Sequence, residues 1–217
     1  MLDMLDRLIT VWRSRGPRGF FRFLRSRIFS YRRDLIFDTQ IAEGGAPPRW
    51  DGAGAVIFIS CENLDRDFNA QLAGQLAKGE GSEYVLGLHG RDLLVAVVDE
   101  SGDVLHHSFI LFDTRTKVLL NESMDIPLFA HCATRADARG RHLYPMALRY
   151  GLGVLSQRGH RRAVINCDSS NLASIKGIEH AGFCVAREVR TWLVGSRLGL
   201  QVGHHRTGGR ILRIFFG

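Results

Sequence analysis

The chain has 217 residues, a net charge of +7 and 45% hydrophobic residues, an ordinary balance for a soluble globular protein with room for one sizeable core. No run approaches the ~20 apolar residues that a bilayer span needs. Arg interrupts every apolar run near the start, which excludes a secretory signal. Four cysteines, Cys61, Cys132, Cys167 and Cys184, show no Cys-x-x-Cys spacing, which points to reduced, buried thiols in a cytosolic protein and away from a structural zinc site.

The charge is uneven. Residues 1–33 hold nine Arg and two Asp, a net +7, so the remainder is neutral overall. Leu2, Leu5, Ile9 and Trp12 fall at helical spacing. After Gly16-Pro17, aromatics from Phe20 to Tyr31 interleave with Arg. Three readings stand for this arm: an apolar face packed on the body, docking on an anionic membrane, and nucleic-acid binding, the last behind the other two. The domain reading is a basic amphipathic arm, 1–33, and a single body, 34–217. Gly44-Gly45-Ala46-Pro47-Pro48 is the clearest break in composition near the join.

In the body, strands are predicted over 34–41 and 55–60, then a helix over 63–78 that ends at Gly79-Glu80-Gly81. Two β-rich runs, 93–98 and 104–112, flank Asp99-Glu100-Ser101-Gly102-Asp103 as a hairpin. A short strand is predicted over 117–121 and a central one over 127–135. A helix over 145–158 contains Gly151 and Gly153, for which close packing on the sheet is a reason. A strand over 162–167 leads into Asp168-Ser169-Ser170-Asn171, residues of helix-capping type, before a helix over 172–181 that Gly182-Phe183 ends. A strand over 183–194 follows, and the tail 198–216 reads as a hairpin around Thr207-Gly208-Gly209-Arg210.

The chemistry centres on Arg135-Ala136-Asp137-Ala138-Arg139-Gly140-Arg141-His142-Leu143-Tyr144-Pro145, between the central strand and its helix. A Gly- and Arg-bearing turn at a helix N-terminus aims backbone N–H groups at an anion, and a phosphate suits them. Together with Asn171, Ser174, Glu179, Gly182 and Phe183 downstream, this series resembles the GNAT superfamily of acyl-CoA-dependent N-acyltransferases over about 129–188. The resemblance implies an α/β fold with a mixed, mostly antiparallel sheet and helices on both faces. It implies acetyl-CoA, another acyl-CoA or an acyl carrier protein as acyl donor, and no metal. Its residues map onto Cys132, Ala133 and Thr134 for the pantetheine and carbonyl oxygens. The diphosphate falls to Arg139, Gly140, Arg141, His142, Leu143 and Tyr144, and the pantetheine arm to Asn171 and Ser174. His142 and Tyr144 stand where the family's turn has small residues. Ile178 stands where many relatives carry the Tyr that protonates the thiolate.

Three residues are candidates for the base that takes the amine proton: Glu122 and Asp125, just before the central strand, and His131, on it. Each has a plainer reading, as a solvated loop carboxylate or a core histidine. Cys132 reads as core or cleft lining, because neighbours on a strand point to opposite faces and His131 is then poorly placed to activate it. The acceptor implied is a primary amine. The run around Tyr144-Pro145 is similar to a bacterial GNAT subgroup tied to cell-surface polysaccharide assembly, which suggests an amino sugar and a place for the arm on the inner membrane face. Two alternatives remain open: transfer from an acyl carrier protein, and a degenerate GNAT-fold binding module.

Overall fold

The computed structural model describes residues 29–49, 55–60, 90–194 and 198–216. In chain order its elements are β1 (Phe29–Gln40), β2 (Ala55–Ser60), β3 (Leu93–Val98), β4 (Val104–Leu111), α1 (Arg115–Leu120), β5 (Leu128–Thr134), a 3-10 turn (Ala136–Ala138), α2 (Leu143–Gln157), β6 (Arg162–Asp168), α3 (Leu172–His180), β7 (Cys184–Val194), β8 (Leu198–His205) and β9 (Arg210–Phe216). The helix expected over 63–78, Cys61 and the arm pattern up to residue 28 lie outside the described residues.

Two compact units emerge. One is Leu35–Ala186; the other joins the residues up to Asp34 with Arg187–Gly217. The sequence marks one boundary near residue 33, whereas the structure carries a second between Ala186 and Arg187.

In the larger unit the strand order is β2-β3-β4-β5-β6-β1. Its pairs are antiparallel from β2 to β5, and β5 runs parallel to β6. All six residues of β3 are buried, which explains why it reads as a continuous apolar run and not an alternating one. The hairpin to β4 closes as expected: the Asp99 carboxylate accepts the N–H groups of Ser101 and Asp103 at 3.0 and 2.9 Å.

Residues 117–121, expected as a strand, belong instead to α1. Thr114 accepts the Thr116 N–H as its cap, and Asn121 closes it in the left-handed region at φ 55. Both ends are thus fixed by local capping. The interior is held by a buried Lys117, whose ammonium donates to the carbonyls of Phe112 and Met124. Burial pulls that amine down to about 8.

Helix α2 packs on β3, β4 and β5, and α3 packs on β6 and α2. Leu143, Ala147, Leu148, Val154 and Leu155 face the core with Phe129 and Ile110. At Gly151 a Cβ would stand 2.8 Å from the Phe129 ring, so this glycine is the close approach to the sheet that the sequence suggests. Gly153 serves a different neighbour: its Cβ would meet the Pro47 backbone at 2.3 Å.

In the smaller unit β7, β8 and β9 form an antiparallel meander, with Trp192 opposite Leu200 and Leu200 opposite Ile214. Its buried face carries Val189, Thr191, Gln201 and Phe215, and Phe215 lies against Gly199, where a Cβ would come within 2.2 Å of the ring.

Replacing Gly151 with Val should lower the unfolding free energy by about 2 kcal/mol in urea titrations. Overpacking costs about 1–3 kcal/mol, and the gain in helix propensity is only about 0.4.

Candidate active site

Strands β5 and β6 pair only at Leu128–Val164 and Phe129–Ile165, with one further bond from the Val164 N–H to the Pro127 carbonyl. Beyond that the pairing stops. The cause lies on the other edge of β5. There the register with β4 shifts: Phe109 opposes Ala130, and His107 opposes Ala133. One more residue is spent on β5 than on β4, and His131 takes a left-handed conformation at φ 48 to absorb it. Such a bulge bends its strand and ends a ladder, and bulges gather at functional sites. The result is an opening between the carboxyl-terminal halves of two parallel strands, the usual place for a ligand in such sheets.

The basic turn lies at the mouth of this opening. Gly140 sits at φ 82 and His142, the residue before α2, at φ 57. His142 therefore takes a backbone shape that glycine adopts at no steric cost, and its side chain points into solvent beside His180. No acceptor among the described residues takes the backbone N–H of Gly140, Arg141, His142, Leu143 or Tyr144. The cations divide into two groups. Arg135 is neutralised by Asp137 at 2.7 Å and Asp99 at 3.6 Å, which ties the turn to the β3–β4 hairpin. Arg139 bends back to the Thr134 carbonyl, and Arg141 to that of Asp137. Neither makes an ion pair among the described residues. Open amides plus two uncommitted guanidinium groups are what a diphosphate requires.

Tyr144 turns away from the turn. Its ring lies against Gly177 of α3, where a Cβ would come within 2.5 Å. Its hydroxyl reaches Ser174 at 3.4 Å, with the Cys132 thiol close by. The phenol thus spans the gap between the free half of β5 and the first turn of α3, and burial keeps it protonated. Beside it lies a chain of polar groups on the α2 side of the sheet. His106 bonds Thr134 at 2.7 Å and Ser108 at 2.8 Å, and next to Ser108 lies the Cys132 thiol, which donates to the Ala130 carbonyl at 3.6 Å. Burial lowers His106 to about 3 and raises the Cys132 thiol to about 11, so at neutral pH one is uncharged and the other is no thiolate nucleophile. On the other edge Asn171 caps α3, its amide oxygen accepting the Ser174 N–H at 3.1 Å. Its amide nitrogen stays at the exposed end of β6.

The structure brings together His131, Cys132, Ala133, Thr134, Arg139, Gly140, Arg141, His142, Leu143, Tyr144, Asn171 and Ser174 at this end of the strands. It leaves Glu122 and Asp125 at the paired end. Glu122 is buried in a two-bond contact with Arg162, at 3.0 and 3.3 Å, and Arg162 also binds Asp38 of β1. Asp125 is exposed, 3.6 Å from Arg91. His131 is exposed on the bulge, its ring edge-on to Phe109, which also meets His107. His107 lies buried in this group, lowered to about 4 by burial and then by His131. His106 and Ser108 were missed by the sequence reading. Their spacing of two on one strand was the available signal, since it places them on one face with Thr134 opposite. Contrary to expectation, the thiols are not all buried: Cys184 is exposed and Cys132 is partly so.

No family model and no curated protein matches the chain. Solved structures do match it in fold. A GCN5-related N-acetyltransferase from Sphaerobacter thermophilus aligns with a TM-score of 0.53 and 15% identity, over 82% of this chain and 57% of its own. A tandem GNAT protein from the clavulanic acid biosynthesis pathway aligns at 0.51 and 12% identity, over 83% and 58%. A Drosophila protein aligns at 0.51 and 12%, over 85% and 58%. The chain spans less than two thirds of the length of each. The fold is that of the GNAT acetyltransferases.

The two buried histidines make stability depend on pH. Both pKa values lie below the unfolded value, so as pH falls the unfolded chain binds protons that the folded chain refuses. Stability is full above about pH 6.5 and falls on acidification toward about pH 4, by at most about 1.4 kcal/mol per pH unit for each histidine. Urea unfolding across this range should show the slope, and His106→Asn should flatten it.

Proposed function

We propose that the chain is an acyl-CoA-dependent N-acyltransferase acting on a primary amine, most simply an N-acetyltransferase. The observation that carries this reading is the opening between β5 and β6, which stops at two residue pairs and meets five open backbone N–H groups at its mouth. A pantetheine chain carries amides that can pair with the free strand edges, and a diphosphate suits the turn. The residues present fit that group: the Tyr144 ring is held on α3, and the left-handed His142 leaves its N–H available.

In this reading Arg139 and Arg141 hold the diphosphate together with the amides of 140–144. The Arg135 N–H bonds the Leu105 carbonyl on β4, so by strand alternation the Thr134 N–H faces the opening, where it can polarise an acyl carbonyl. Asn171 offers its amide nitrogen to the pantetheine arm. His131, exposed at the bulge, accepts the proton of the attacking amine, a role that suits an imidazole near neutral pH. Tyr144 donates its hydroxyl toward the departing sulfur, from α2 and not from the position of Ile178 on α3. Acyl-CoA supplies the activated acyl group. An amino sugar is the first acceptor to try, and an acyl carrier protein the second donor.

Calorimetry with acetyl-CoA should show micromolar binding, weakened by Arg139→Ala and Arg141→Ala. Absence of binding to any acyl-CoA or acyl carrier protein would replace this reading with a binding module. His131→Asn, which tolerates the left-handed backbone, should lower kcat by about 10²-fold or more with acyl-CoA affinity unchanged, and remove the acid limb of the pH–rate profile. Glu122→Gln should cost stability and leave kcat near its original value.

A further inference from the structure

We propose that the outward face of the β7–β8–β9 meander docks on an anionic lipid bilayer, independently of what the opening between β5 and β6 binds. An antiparallel sheet with one buried face normally shows polar side chains on the other. Here the pattern is reversed. Trp192, Leu198, Leu200, Val202, Leu212 and Ile214 all lie on the solvent side, with Leu212 78% and Ile214 68% exposed. The register makes them neighbours: Trp192, Leu200 and Ile214 form one row across the three strands, and Val202 and Leu212 part of the next. A contiguous apolar area of this kind marks an interaction site.

The same face is graded along its strands. Its apolar end gives way to Arg190, which completes the row of Val202 and Leu212, and then to a last row of Glu188, His204 and Arg210. Glu188, the one acid in residues 187–217 against six Arg, is bound by Arg33 at 2.7 Å and lies 3.9 Å from Arg190. Residues 1–34 and 187–217 together hold fifteen Arg, no Lys and four acids, a net +11, so residues 35–186 carry −4 of the total +7. A second copy of this face, or the chain's own Arg-rich residues 1–28, would bring like charge against like charge. An anionic bilayer accepts both halves of the face: aliphatic side chains enter the boundary of the acyl region, and each cation near the headgroups adds about 1 kcal/mol. Tyr31 and Trp192, tilted rings with centroids 5.3 Å apart and both exposed, are the ring types that settle at that boundary.

The test is co-sedimentation of the full chain with phosphatidylcholine vesicles, with and without phosphatidylglycerol, at low and high salt. Binding should need the anionic lipid and weaken with salt. Leu212→Glu and Ile214→Glu, at exposed positions, should each weaken it about tenfold, with circular dichroism unchanged. Brominated lipid should quench emission from the wild type, and Trp192→Phe should lose the quenched component. Equal partitioning of wild type and variants overturns the proposal. So does a dimer in sedimentation velocity that Ile214→Glu dissociates, or binding to an acidic carrier protein in place of vesicles.

Discussion

The site depends on a ladder that ends early. Two parallel strands that could pair along seven residues pair at two, because β5 spends an extra residue against β4 and His131 turns left-handed to accommodate it. A left-handed non-glycine residue costs about 1–2 kcal/mol. That cost is carried by a core in which Phe129, Phe109 and Leu128 are fully buried on the strands beside it. Zipping the strands together would close the gap that Tyr144 spans and leave the basic turn facing a continuous sheet.

Electrostatics sort the cations around that gap. Carboxylates from the β3–β4 hairpin and the 3-10 turn neutralise Arg135, which makes it a structural tie. Arg139 and Arg141 bond only carbonyls and keep their charge outward. A salt-bridged cation offers little to an incoming anion, while an uncompensated one beside open amides offers much. Positive charge gathers on residues 1–34 and 187–217, apart in sequence from the residues that hold the opening.

Much of this was legible in the sequence where local rules decide. The runs 93–98 and 104–112, the Asp99 hairpin, the Asn171 cap and the Gly182 stop each follow from period, turn chemistry or capping, and each appears within a residue or two. The tail's Gly-Gly turn likewise fixed the β8–β9 hairpin. Residues 117–121 misled because Val118, Leu119 and Leu120 favour a strand or a helix equally, and the capping by Thr114 and Asn121 decided it. The bulge at His131 was not legible, since no glycine marks it and it arises from register between distant strands. Nor was the outward face of the meander: alternation from Leu198 to Ile214 is plain in the sequence, but which side meets solvent depends on what the other side packs against.

Tyr144 against Gly177 has a mechanical consequence. With a ring where any side chain at position 177 would collide, α2 and α3 are keyed to each other at this point. A side chain at position 177 would therefore displace the ring that borders the free half of β5.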